Sequence, residues 1–314
     1  MQNPLSVCYA IVHDCGEDSH AICQDEQGLC LCVTDGCGGL GSKRYEALEG
    51  RTGAYIAARL AAQTFADWAE ECRPAPKTIN EAEKLCREIE QLLFQTLRDF
   101  ADEHLRQEKS RIMGSMQKTL PTTLCAFTAY QNELCFWWAG DSRGYVLDEN
   151  GLSQYTRDHL RAETDAFETL YRDAPLSNLL CADHLGKIEC RRLKQEKPAA
   201  VMVATDGVYS ALPSPMETEM LLLDTLRNAA SYERWGKRLH RKVRRNAQDD
   251  ASLLIIPLNA DHFEQLKQTL LPRREVLQKH FITPLRRHRG DAAYAREKWL
   301  AYKPAYDRTE ENNE

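Results

Sequence analysis

Two tightly joined pairs of apolar strands in the middle of the chain constrain its fold more than any other feature. "TLCAFTAY" and "LCFWWAG" flank a Gln131-Asn132 turn, and "RGYVLD" and "LSQYT" flank Asn150-Gly151. The second turn is a strong hairpin signal, because Asn and Gly both tolerate positive φ. Strands joined this tightly are antiparallel neighbours, since a parallel pair needs a crossover of a dozen residues or more. Three further strand patterns, "SVCYAIVH", "AIC" and "LCLCV", lie within residues 6 to 33. "AAVMVATDG" at 199–207 and "ASLLIIPL" at 251–258 add two more.

Helical spacing interrupts these strands. Ala54, Ala58, Ala61, Phe65 and Trp68 recur on one face from about Tyr45 to Trp68. After "RPAPK", Asn80 stands three residues before Glu83 as a capping box. It opens a long amphipathic helix through Leu85, Ile89, Leu92, Leu93, Leu97 and Phe100. A strongly basic helix is expected around 232–245, and a charged helical tail follows 260, broken by Pro272 and Pro284. The basic helix reads as a solvated outer face or as a dock for an acidic partner. This order predicts an α+β fold, with helices packed outside antiparallel sheets. We divide the chain into a catalytic domain over 1–258 and a basic, mainly helical extension over 259–314.

Composition narrows the function. A net charge of −6 gives no electrostatic case for nucleic acid or an acidic membrane. No stretch approaches the roughly 18 to 20 apolar residues of a membrane span, and the N-terminus lacks a basic region before its apolar run. Twelve cysteines without a CxxC pair, in a chain with no export signal, are expected to be reduced thiols in a cytoplasm. Cys30 and Cys32 alternate with leucines and face one side of a strand.

Acidic residues recur where apolar strands end. Glu17 and Asp18 follow the first strand, Asp35 ends "LCLCVTD", Asp141 ends "LCFWWAGD", Asp206 ends "AVMVATD", and Asp249-Asp250 lead into "ASLLIIPL". Antiparallel neighbours bring such ends to one sheet edge, where unpaired carboxylates repel and are costly to desolvate. Arg143 is the clearest cation beside them. A hard divalent metal with oxygen ligands, Mg²⁺ or Mn²⁺ rather than zinc, satisfies such a set. Each piece taken alone has a plainer reading as a turn or a surface ion pair.

Taken in order, "GEDS", "VTDGCGG", "LPTTLCAF", "WAGDSRGYVL", "QYTRDHL", "VMVATDGVYSAL" and "QDDASLLII" resemble the successive motifs of type 2C metal-dependent protein phosphatases over residues 6–258. The resemblance implies a four-layer α-β-β-α sandwich with a two-metal centre at one edge. It implies that Asp35 bridges two Mn²⁺ or Mg²⁺ ions and Gly36 gives one its carbonyl. Asp206 and Asp249 hold the other, Glu17 and Asp18 act partly through water, and Asp141 serves a weak third site. It further implies hydrolysis of phosphoserine or phosphothreonine by a metal-bridging hydroxide, a phosphoprotein substrate, an opposing Ser/Thr kinase, and a bacterial, cytoplasmic setting. "TRDHLRAETDAFETLYRDAPLS" falls where the family carries a variable flap beside the active site. Four positions depart from the pattern. His13 replaces the usual phosphate-gripping arginine, with Arg44 a possible substitute; Cys37 fills the variable motif position; Pro121 replaces a glycine; and Ser210 stands where an acidic residue is common. His13, Pro121 and Ser210 motivate the alternative of a catalytically weak or inactive pseudophosphatase that acts as a binding or regulatory module.

Overall fold

The computed structural model describes residues 2–105, 117–162, 164–172 and 174–309; Met1, 106–116, Glu163, Asp173 and 310–314 lie outside the described residues. Its strands are β1 (Leu5–Tyr9), β2 (Ser19–Gln24), β3 (Gly28–Thr34), β4 (Arg44–Tyr45), β5 (Arg51–Thr52), β6 (Leu124–Tyr130), β7 (Glu133–Ala139), β8 (Arg143–Asp148), β9 (Gly151–Gln154), β10 (Glu189–Leu193), β11 (Ala199–Ala204) and β12 (Ala251–Leu258). The helices are α1 (Gly53–Cys72), α2 (Ile79–His104), α3 (Pro215–Arg227), α4 (Tyr232–Asn246), α5 (Phe263–Leu277), α6 (Thr283–Arg287) and α7 (Ala292–Tyr306).

Two five-stranded antiparallel sheets stack face to face, ordered β1-β12-β11-β8-β9 and β10-β7-β6-β3-β2. The period of two along each strand sorts their side chains. Leu29, Leu31 and Val33 of β3 enter the layer between the sheets with Phe127, Phe136, Val201 and Leu254. Cys30 and Cys32 point the other way, under Phe65 of α1 and Trp137 of β7. The opposite sheet is covered by α3, α4, α5 and α7 through Met216, Trp235, Leu270 and Trp299. Four layers result, as the resemblance implies. All twelve cysteines are free, and no helix among the described residues is long and apolar enough to cross a membrane.

Several local expectations shift. α1 begins at Gly53 rather than Tyr45, because residues 44–52 form the small β4-β5 hairpin and Thr52 Oγ1 accepts the Tyr55 N–H as the helix cap. The cap of α2 is Thr78, not Asn80: its hydroxyl accepts the Glu81 N–H, and Glu81 reaches back to the Lys77 N–H. At the second hairpin the two-residue loop is Glu149-Asn150; only Gly151, at φ 119°, sits at positive φ, as the first residue of β9. Pro272 lies inside α5 instead of ending it, because Leu266, Leu270 and Leu277 bury on either side of it. Two elements escape the periodicity. β10, "ECRRL", is a polar edge strand, and α3 carries its signal in the Ser214 cap followed by Pro215.

Residues 263–306 do not stand apart. Leu266, Leu277, Ile282, Trp299, Tyr302 and Tyr306 share one apolar cluster with Met202, Leu253 and Ile255 of the sheet. On α4, Trp235, Leu239 and Val243 are buried one turn apart and the arginines between them face solvent, which is the plainer of its two readings.

Candidate metal centre

The antiparallel order places the end of β3, the end of β7, the end of β11 and the start of β12 along one edge of the sandwich. Backbone pairing continues past the strand ends and fixes the carboxylates there. The Asp35 carbonyl accepts the Thr123 N–H at 2.8 Å and the Thr122 hydroxyl at 2.9 Å, and Gly36 forms a bridge with Thr122. The Gly36 N–H donates to the Glu17 carbonyl at 3.3 Å, which draws the segment before β2 against the same edge. Asp18 accepts the Thr205 hydroxyl at 2.7 Å, and Glu17 accepts a short hydrogen bond from the Thr52 hydroxyl that also caps α1. A Cβ at Gly38 would lie 2.2 Å from Glu17 Oε2, and one at Gly207 would lie 1.9 Å from the Asp250 carbonyl oxygen. Bare backbone at Gly207 is therefore a condition of the site, and at Gly38 it leaves the Glu17 carboxylate where it stands.

The electrostatics are those of crowded like charge. Burial, followed by Asp206, Asp18, Asp141 and Asp249, pushes the Asp35 carboxyl well above the usual range. Burial raises Asp18 and Asp141 to about 7, and Asp206 adds to both shifts. Asp206 is raised by burial and by Asp249. Glu17 is raised by burial and by Asp250 and Asp249, against the hydrogen bond from Thr52. Such a set is stable when positive charge enters it.

The protein's own cations stop at the margin. Arg143 is buried and bound in a fork to Asp158, Nη2 to Oδ2 at 2.6 Å, so it is not the free counter-ion that its place in the sequence suggests. Three arginines beside the segment before β2 were overlooked or undervalued in the sequence. Arg51 donates to the Asp14 carbonyl in a short contact, Arg59 donates to the Gly16 carbonyl at 3.1 Å, and Arg44 lies near enough to Glu17 to lower its pKa. Arg51 and Arg59 both lie over the Tyr55 ring.

Among the described residues no three His, Cys, Asp or Glu side chains are gathered closely enough to hold a metal ion by themselves. An open set of oxygen donors suits Mg²⁺ or Mn²⁺, which keep several waters and take few protein ligands each. The residues fit such ions on the chemistry of the donors and on their mutual repulsion. Asp249 is exposed at the mouth, whereas Asp250 turns inward. The Asp250 carboxylate accepts the Ile11 N–H at 2.8 Å and the Glu17 N–H at 2.6 Å.

The departures have physical accounts. Pro121 packs where Gly41 has no side chain: a Cβ there would lie 2.7 Å from the ring carbons. The Pro121 carbonyl still accepts the Cys37 N–H at 3.1 Å. Burial and the Asp35 carboxylate hold the Cys37 thiol well above its usual range, so it is neutral. The Ser210 N–H closes the turn on the Asp206 carbonyl at 2.8 Å. His13 stands in solvent at 93% exposure, with Nδ1 2.9 Å from Asp14.

An α-β-β-α sandwich with converging acidic strand ends defines a metal-dependent hydrolase. The chain belongs to the protein phosphatase 2C family, whose profile matches residues 12–254. It is a metal-dependent protein phosphatase acting on phosphoproteins. No curated protein matches the chain in sequence. The solved structure of the Staphylococcus aureus serine/threonine phosphatase Stp1 is similar at 17% identity, covering 83% of this chain and 96% of that one, with a TM-score of 0.60. The catalytic domain of the serine/threonine phosphatase PstP with two manganese ions is also 17% identical, covering 82% and 98%, with a TM-score of 0.53. PppA, a regulatory component of T6SS in Pseudomonas aeruginosa, is 19% identical over 82% and 97%, with a TM-score of 0.53.

Proposed function

We propose that the strand-end carboxylates hold two Mn²⁺ or Mg²⁺ ions, with Asp35 shared between them and the Gly36 carbonyl beside it. Asp206 and Asp249 hold one ion from β11 and β12, Glu17 and Asp18 order water around the pair, and Asp141 serves a weaker third site. The observation that carries this reading is the gathering of Asp35, Asp18, Asp141 and Asp206 at one sheet edge, half-buried and close enough that Asp206 raises the carboxyls of the other three. When bound, the metals supply an activated water and neutralise charge developing on the phosphoryl oxygens.

The chain's own residues supply position. The Asp35 backbone is held at the end of a buried strand, its carbonyl accepting from Thr122 and Thr123. Thr205 and Thr52 fix Asp18 and Glu17 by donating hydroxyl protons, which leaves the remaining carboxylate oxygens as acceptors. Arg44 and His13 are the proposed contacts to the substrate phosphate, and Arg44 is the nearer to Glu17. The substrate is a phosphoserine or phosphothreonine protein, turned over against a Ser/Thr kinase in a cytoplasm. Residues 1–258 carry the catalysis and 259–314 extend it. Hydrolysis of p-nitrophenyl phosphate with Mn²⁺ tests the reading: activity is expected in the wild type and lost in Asp35→Asn. A wild type inactive with every divalent ion overturns it.

A further inference from the structure

We infer that α7, which lies beyond the family match, is a positioning element of the active-site rim: it grips the segment after β9 through Asp165 and so sets selectivity for protein substrates. This inference rests on the phosphatase reading. The segment after β9 is anchored on both sides of Asp141. The His159 N–H donates to the Gly140 carbonyl at 3.0 Å, and the Gly140 N–H returns to His159 Nδ1 at 3.1 Å. On the other side, Arg143 binds Asp158 and donates to Thr169 Oγ1 at 2.9 Å. The Arg143 guanidinium lies 3.9 Å from the Tyr209 ring centre, and the Tyr209 hydroxyl donates to the Asp141 carbonyl at 2.8 Å. Position in this segment is thereby tied to position at Asp141.

The outer part of the segment is held by α7. Asp165, only 9% exposed, accepts Arg296 Nη1 at 2.7 Å and Trp299 Nε1 at 2.9 Å, with Lys303 Nζ at 3.9 Å. Its other oxygen accepts the backbone N–H groups of Phe167 and Glu168, both at 3.1 Å, so one carboxylate fixes both the turn and its distance from α7. Arg296 Nη2 reaches Glu168 at 3.3 Å, and the Phe167 ring stacks on Trp299 at 6.0 Å and 16°. Arg161, Tyr171 and Arg172 remain exposed on the same segment. They are placed to meet the chain flanking a phosphorylated residue, and a small phosphate ester has no such flank to offer. Segments that carry selectivity need rigid support, because a loosened contact surface loses affinity to ordering entropy.

The test compares the full-length wild type, Arg296→Ala and Arg296→Lys. The ratio of kcat/KM for a phosphothreonine peptide over p-nitrophenyl phosphate is expected to fall about tenfold in Arg296→Ala, the scale of one lost charge-assisted contact. Arg296→Lys, which keeps the charge, is expected to recover part of that loss. In metal-free protein, trypsin is expected to cut after Arg161 and Arg172 faster in Arg296→Ala at unchanged thermal midpoint. An unchanged ratio and cutting rate overturn the inference, as does an equal fall on both substrates that tracks a lower midpoint. A wild type that hydrolyses neither substrate defeats the phosphatase reading instead, and the cutting rate still reports on the grip.

Discussion

Asp250 accepts the backbone N–H of Glu17 at 2.6 Å across 233 residues of chain, and its second oxygen accepts the Ile11 N–H at 2.8 Å. One carboxylate at the start of β12 thus sets where Glu17 and Asp18 stand, without being a proposed metal ligand itself. Removing it in Asp250→Ala leaves two N–H groups without their acceptor. Hydrogen bonds to charged groups contribute about 1.5–3 kcal/mol each, so urea unfolding is expected to show a loss of about 3 kcal/mol. Asp250→Asn keeps one acceptor and is expected to lose about half as much.

Asp35 is held in place against its own electrostatics, a condition that favours function over stability. Asp35→Asn replaces the carboxyl that ionises only against its neighbours with a neutral amide. In metal-free protein its thermal midpoint is expected to rise, by about 2–4 °C for each kcal/mol of repulsion relieved. The same substitution is expected to abolish the upward shift that Mn²⁺ gives the wild type, and to lower turnover by more than about a hundredfold. Calorimetric scans with and without Mn²⁺, beside a p-nitrophenyl phosphate assay, read both. A metal-free midpoint that falls would contradict the repulsion argument.

Glu219 is fully buried on α3, with Arg273 Nε at 2.8 Å and a short hydrogen bond from the Tyr302 hydroxyl. Burial pushes the Glu219 carboxyl up, while Arg273 and Tyr302 pull it down. Arg273→Ala strands that carboxylate and is expected to cost about 3–5 kcal/mol in denaturant unfolding. The double variant with Glu219→Gln, which removes the stranded charge, is expected to recover most of the loss. If the single variant loses less than about 1 kcal/mol, the pair is not holding α5 to α3.

Asp165 gives a pH signature. Burial alone would raise its carboxyl, but hydrogen bonds from Trp299, the Glu168 N–H and Arg296 hold it below the usual range. A carboxyl depressed in the folded state contributes stability that is complete above its unfolded pKa of about 3.9 and lost as pH falls through the lower folded value. The stability gap between wild type and Asp165→Asn is therefore expected to be constant from pH 7 to about 5 and to shrink below about 4. Unfolding curves at pH 7, 5 and 3.5 measure it, and a gap that widens in acid would reverse the sign.

The fold was legible wherever local periodicity carried it. The Gln131-Asn132 turn, with both residues at positive φ, the alternation of Cys30 and Cys32 against Leu29 and Leu31, and all eight residues of β12 are present as the sequence reads them. β10 was not legible, because an edge strand with arginines at 191 and 192 has no apolar period to show. The candidate centre was legible in its acidic strand ends, since each is a turn residue beside an apolar run. Its surroundings were not: nothing near Arg51 or Arg59 announces that α1 and β5 lie against residues 14–16.

By itself the sequence determined the antiparallel strand pairs and the acidic residues at their ends, because two-residue turns and apolar alternation act between neighbours in the chain. Only the tertiary structure decided that Arg143 is spent on Asp158, that His13 faces solvent, and that α7 holds Asp165. Trp299 and Asp165 lie 134 positions apart, and no local pattern encodes which distant strand end or helix face will arrive beside another. Sheet order and burial make that choice, and they exist only once the chain has packed.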